Sequence, residues 1–295
     1  MLASGIDRKQ ERVSWLGLMR EIARVSGAVE TELTDQTPKE ALTRRLLFFL
    51  FELDEVVRTF PSASFGADRI IEVFRTGLRF TVFDPKSHAD IEQVSRCHSV
   101  GFALKKRMIH PSLAAMVLIL IAERLRAGTE QPDTVPLLSL THGSPLGSVQ
   151  FQYEDRIDYC LTDLGLRFVD KAEWQRWCKD EKGLPTLGVT GALSNYFYSW
   201  LSALEMLPNG EGRIERSKCI LWGELIRLNP QSTSLWYNLA QSQFSSGQSL
   251  EARQSLLRFI SFHGTSRVSQ TLMDALEINS QQDRREESQT EPAFL

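Results

Sequence analysis

The sequence holds little that points to covalent chemistry or to a membrane. It has five histidines and four cysteines in 295 residues. Cys97, Cys160, Cys178 and Cys219 form no C-x-x-C pair, so neither a zinc knot nor a dense disulfide framework is indicated. The thiols read as free residues of a reducing, cytoplasmic compartment. A basic excess is also missing. Lys and Arg number 34 against 37 Asp and Glu, and the net charge of −3 offers no overall pull toward nucleic acid or an anionic lipid surface. Residues Met1 to Glu11 carry charges early and lack an apolar h-region, so no signal peptide is expected. The strongest apolar runs, Leu46 to Phe51 and Leu113 to Ala122, fall well short of the ~20 residues that cross a bilayer, and no membrane partner is expected.

Catalytic motifs are missing in the same way. No glycine-rich loop ends in Gly-Lys-Ser/Thr, and Gly210-Glu211-Gly212 lacks the third dinucleotide glycine. Gly143-Ser144-Pro145-Leu146-Gly147 misplaces its serine for a nucleophile elbow, and His142 beside it reads as a chance neighbour. His88-Ala89-Asp90 and Cys97-His98 are too short to specify a metal site. His110 and His263 read as helix-end or surface residues. The expectation is a protein with no catalytic residue, no cofactor and no metal. An enzyme would need His88, His98, His110 or His142 gathered beside carboxylates in a cleft.

What is present is helical periodicity. Trp15, Leu16, Leu18, Met19, Ile22 and Val25 recur with a helical spacing that Gly27 can end. Thr37-Pro38-Lys39-Glu40 is a helix start, with a capping Thr, Pro in the first turn and Glu closing a capping box. The helix that follows runs through Leu42, Leu46, Phe49, Leu53 and Val57 until Pro61 stops it. A helix is expected from Ala67 to about Gly77, an extended piece at Phe80 to Phe83, and helix from Ala89 to Met108 with a break near Gly101. Pro111 opens another helix through Leu125, with Gly128 as a left-handed cap.

The Pro- and Gly-rich stretch Thr129 to Gly147 reads as irregular. Val149, Phe151 and Tyr153 then alternate with polar residues, as do Ile157 and Tyr159 beyond a Glu154-Asp155-Arg156 tip, which predicts a hairpin. Leu161 to Lys182 is expected to be helical, with Trp174 and Trp177 docking it onto the C-terminal helices. Gly183 to Gly188 reads as a linker. Helices are expected over 192–207, 212–228, 233–245, 249–262 and 267–278. The Gln-, Glu-, Arg- and Ser-rich end, 279–295, reads as a disordered tail.

A period of 34 residues runs through the C-terminal third. It superposes Trp222 on Leu256, Leu225 on Phe259, Ile226 on Ile260 and Leu228 on Phe262. Trp236-Tyr237-Asn238-Leu239-Ala240, then Gly247 and Ala252, resembles one tetratricopeptide (TPR) repeat. Its small residues Ala240 and Ala252 let two helices cross closely, while Trp236, Leu239 and Leu256 fill the space between them. The resemblance implies helical hairpins whose first helices build a concave peptide-binding face. Asn238 then matches the asparagine that bonds a bound peptide backbone, with Ser234, Tyr237, Gln241 and Phe244 sharing or bordering that face. Tyr159-Cys160-Leu161-Thr162-Asp163-Leu164-Gly165 resembles the last wing strand of a winged-helix module running into a helix start.

The expected fold is mostly α. It has an N-terminal helical domain (1–128), a small β-hairpin, winged-helix-like middle module (129–183) and C-terminal TPR-like helical hairpins (184–278). The expected function is protein–protein interaction, as an adaptor or complex subunit with a protein or peptide partner. The alternative is a transcriptional regulator whose middle module contacts DNA while the repeats act as sensor. Its basic groups would be Lys105, Lys106, Arg107, Arg124 and Arg126. Nucleic acid is the less favoured partner.

Overall fold

The computed structural model describes residues 15–34, 39–60, 66–84, 91–141, 148–162, 165–177, 186–187, 189–208 and 212–277. The protein is mostly helical, with a small β-sheet in the middle of the chain. It divides into two compact units. The second takes Glu32–Asp35 and everything from Pro208 onward, and the first takes the rest. Among the described residues, no helix is long and apolar enough to cross a membrane.

The helices of the first unit are α1 (Trp15–Thr34, whose residues from Glu32 on are counted with the second), α2 (Lys39–Thr59), α3 (Gly66–Glu72), α4 (Ile91–Cys97), α5 (Val100–Lys106), α6 (Pro111–Gly128), α7 (Lys171–Trp177) and α8 (Val189–Glu205). Its core is α6. The apolar run Leu113 to Ala122 is buried on every side, as expected of a helix that is hydrophobic all round. Each large aliphatic side chain buried there contributes about 1.5–3 kcal/mol. Around α6 pack α2, α3, α8 and the sheet. Pro111 sits in its first turn, and the His110 ring accepts from the Ser112 amide at 3.3 Å. Gly128 is not left-handed. The helix ends instead with Thr129 extended.

Gly27 does not end α1. It is a close-packing position, where a Cβ would lie 3.2 Å from Leu42 Cδ2 on α2. After α3 the chain widens into one π turn, Val73–Gly77, closed by the Leu78 amide on the Val73 carbonyl at 2.8 Å. The extended piece at Phe80 to Phe83 is β1 (Thr81–Val82), which pairs in parallel with β2 (Met108–Ile109). The expected break near Gly101 falls at His98-Ser99, where the Ser99 hydroxyl caps α5 through the Phe102 amide at 3.0 Å.

The larger sheet has five antiparallel strands in the order β6-β5-β4-β3-β7. The expected hairpin is there as β4 (Ser148–Gln152) and β5 (Ile157–Leu161), in the register Val149↔Cys160. Val149 and Phe151 are buried, while Gln150 between them is half-buried and Gln152 beyond them is exposed. Three neighbouring expectations need correction. First, β3 (Leu137–Thr141) lies within the stretch read as irregular, because Pro136 precedes the strand and the residues after it are free to pair with β4. Second, Leu161 to Lys182 is not one helix. Gly165 and Leu166 are both left-handed, with φ of 69° and 63°, which no continuous helix allows. They lead into β6 (Arg167–Val169), and only then does α7 begin, capped by Asp170 accepting from the Glu173 amide at 2.7 Å. Third, Thr186–Leu187 inside the expected linker is β7, an edge strand on β3.

Trp174 accordingly packs on the sheet, stacked on Tyr159 at 4.2 Å, and not on the C-terminal helices. The Trp177 side chain lies outside what the structure describes. Helix α8, placed by sequence with the C-terminal hairpins, belongs to the first unit, where Tyr196, Phe197 and Trp200 are buried and the helix packs on α4 and α6.

The second unit contains α9 (Gly212–Leu228), α10 (Thr233–Ser245), α11 (Ser249–His263) and a last helix over 267–277 (α12). Short turns join them. The turn after α10 is a Schellman motif. Gly247 is left-handed at φ 80°, the Gln248 amide reaches the Gln243 carbonyl at 2.8 Å, and the Gly247 amide reaches that of Phe244 at 3.0 Å. Ser266 and Ser269 exchange amide-to-hydroxyl bonds that cap α12. Ala240, Ala252, Leu256, Leu272 and Leu276 form the shared core of α10, α11 and α12. The residues of 279–295 lie outside the described residues.

Candidate functional site

Helix α10 packs against both α9 and α11, so two of its sides are spoken for. Leu235, Leu239, Ala240 and Ser242 are buried. Tyr237 and Phe244, two of the five residues expected at a partner face, lean against the α11–α12 core, with the Tyr237 ring 5.4 Å from that of Phe259. They border the open face rather than stand on it. The other three share one stripe. Ser234 and Gln241 are exposed and Asn238 is half-buried, spaced four and three residues apart so that they stack along one side of the helix. Exposed Ser245 extends the stripe one turn further.

The hydrogen bonding on this helix separates the two groups again. Gln243, on the packed side, accepts from the Ser255 hydroxyl at 2.8 Å and so ties α10 to α11. Among the described residues, the side chains of Asn238 and Gln241 engage in no hydrogen bond. An unengaged primary amide offers two donors and an acceptor carbonyl, the complement of a peptide unit. A merely structural Asn238, holding neighbouring helices together, would show such a bond.

The first unit brings together residues that the sequence left apart. His98 and His110 stack face to face with ring centroids 3.6 Å apart, and the Trp200 ring lies parallel to His98 at 6.0 Å. His98 Nδ1 donates to the Val94 carbonyl at 2.9 Å, which leaves Nε2 to accept from the Ser199 hydroxyl at 3.0 Å. Tyr196 donates its hydroxyl to the His98 carbonyl. Burial holds the His98 ring down to about 4. Burial, and His98 beside it, hold His110 well below its ordinary range. Both rings are sealed from solvent and neutral, so they form a rigid core joint rather than an acid–base pair open to substrate. His110 is the helix end expected, yet fully buried. The nearest sequence signal was its place one residue before Pro111. His88 and His142 lie outside the described residues.

Among the described residues, no group of three or more His, Cys, Asp and Glu is placed to hold a metal ion. Cys97, Cys160 and Cys219 take part in no disulfide among the described residues. Burial pushes the thiols of Cys97 and Cys219 up to about 12, far from a reactive thiolate. A cleft of about 810 Å³ opens beside the end of α6, lined by Arg58, Arg69, Arg124, Asp54 and Glu130. Arg124 pairs with Asp54 at 3.2 Å, and the lining carries both signs of charge but no Ser, Cys or His among the described residues.

Comparison with protein-family models, with curated proteins and with solved structures finds no match to this chain.

Proposed function

We propose that the protein is an interaction adaptor or assembly subunit that binds an extended segment of a partner protein along the open face of α10. The observation that carries this reading is the pair of unengaged amides, Asn238 and Gln241, aligned with Ser234 on a helix whose other sides are packed. A peptide backbone laid along that stripe satisfies the amides, and the half-buried edges of Tyr237 and Phe244 border it with apolar surface. The TPR-like spacing of Trp236, Leu239, Ala240, Gly247 and Ala252 supports the same reading, since that pattern resembles helical hairpins that present their first helix to a ligand.

The regulator reading has less support. Three of its basic groups are occupied. Arg107 pairs with Glu52 at 2.6 Å, Arg124 with Asp54, and Arg126 donates to the Val135 carbonyl at 2.6 Å. The helix before the sheet, α6, is buried over Leu113 to Ala122 and has no face to lay in a groove.

The test is co-purification of tagged protein from its native host, repeated with Asn238→Ala plus Gln241→Ala. The expected result is a stoichiometric protein partner whose recovery falls about tenfold or more in the double variant. A partner retained in full by the variant, or nucleic acid in place of protein, overturns the reading.

A further inference from the structure

Helix α2 turns a second and chemically different face outward. Its inner side buries Leu42, Leu46, Phe49, Leu50 and Leu53. On the opposite side Phe48 is 77%, Phe51 71% and Leu47 54% exposed. Two phenylalanines side by side in water are an unusual surface, and such patches mark association sites. The stripe that carries them reads Arg44, Phe48, Phe51, Glu55, with spacings of four, three and four residues that keep all four on one face.

That stripe is complementary to itself. Its midpoint falls between Phe48 and Phe51. Turned end for end about the midpoint, Phe48 meets Phe51, and the basic end at Arg44 meets the acidic end at Glu55. A two-fold interface demands this property, that residue i meets j while j meets i. Arg44 is exposed and engages in no ion pair among the described residues, whereas Glu55 already accepts from Arg58 at 2.6 Å and remains half-exposed. A carboxylate has lone pairs for a second guanidinium, so the Arg58 contact leaves room for one from a neighbour.

We propose that a second copy of this chain covers this face, the two α2 helices pairing antiparallel across a two-fold axis with Phe48 against Phe51 and Arg44 against Glu55. The proposal goes beyond the peptide-binding reading and does not depend on it, since it concerns a different helix.

Sedimentation equilibrium of the full chain tests it. The wild type is expected to show a reversible species of twice the 33.5 kDa chain mass in the micromolar range. Phe48→Glu is expected to weaken the dimer by about 100-fold or more, because it places a charge at the centre of the contact. Phe48 supports no core in the monomer, so unchanged circular dichroism will confirm that the variant folds. Arg44→Glu and Glu55→Arg each break two symmetry-related pairs and are expected to weaken the dimer about tenfold, while the double swap restores it to within about threefold of wild type. A monomer at every concentration, a dimer indifferent to Phe48→Glu, or a double swap weaker than either single change overturns the proposal. Loss of the dimer without loss of the co-purifying partner would leave the α10 reading untouched, and the reverse holds equally.

Discussion

The two units solve the problem of holding helices together in opposite ways. The first builds around a helix apolar on all sides and fills the remaining seams with buried polar groups. Glu30 accepts from the hydroxyls of Ser26 and Ser99 and from the Gly101 amide, and His98 and His110 stack beneath Trp200. Among the described residues, the buried polar groups of the second are the serines Ser217, Ser242, Ser255 and Ser269, none of them ionisable near neutral pH. This unit brings helices close through small residues, Ala240 against Ala252, and ends α10 and α11 with glycine. The difference shows where each unit is sensitive. Buried polar joints respond to pH and to loss of a single hydrogen-bond partner. Small-residue crossings respond to volume.

Acid gives the largest expected contrast. Below an unfolded value of about 6.5 the unfolded chain takes up a proton that folded His98, held down to about 4, does not. The contribution of neutral His98 is therefore complete above about pH 6.5 and is lost as pH falls toward 4, at about 1.4 kcal/mol per pH unit. His110, held low for the same reason, steepens the loss. Hydrogen exchange at pH 7 and pH 5, corrected for intrinsic rates, is expected to show protection falling in α6 and α8 by about 2 kcal/mol or more while α10 and α11 change little. The second unit has no buried histidine among its described residues. Equal losses in both would erase the contrast.

Volume gives the converse. Ala252→Leu is expected to cost the second unit about 1–3 kcal/mol in thermal or urea unfolding and to leave exchange in α6 unchanged. Gly247→Ala places a Cβ on a residue at φ 80° and is expected to cost about 1 kcal/mol. Smallest of all, Asn238→Ala with Gln241→Ala is expected to shift stability by less than about 0.5 kcal/mol, since neither amide is engaged within the fold. A larger loss would mean that these side chains hold the helices together after all.

Much of the helical framework was legible because its signals are local. The apolar run at Leu113 to Ala122 and the alternation through Val149, Phe151 and Ile157 each identify an element from its own residues. What escaped depends on partners distant in sequence. β7 is two residues long and exists only because β3 lies beside it. Gly27 and Gly101 look like helix breakers until Leu42 and Glu30 are seen pressing on them, at 3.2 Å and 2.6 Å from where a Cβ would stand. Leu166 gives no sign of its left-handed backbone, and without it the stretch from Leu161 reads as helix. At the candidate site, Ser234, Asn238 and Gln241 share a face by spacing alone. That Tyr237 and Phe244 lean toward α11 required the position of Phe259 and the residues around it. His98 and His110 are twelve residues apart, and only the turn from α4 through α5 to α6 stacks them.

The central claim, that α10 presents its open stripe to a protein partner, is tested most directly by crosslinking from within that stripe. A photoreactive residue placed at Gln241 on α10 is compared with one at Arg253, exposed on α11, in cells of the native host. The account predicts a discrete crosslinked protein from position 241 that is absent from position 253. A crosslink from position 253 alone, or identical adducts from both, would contradict it.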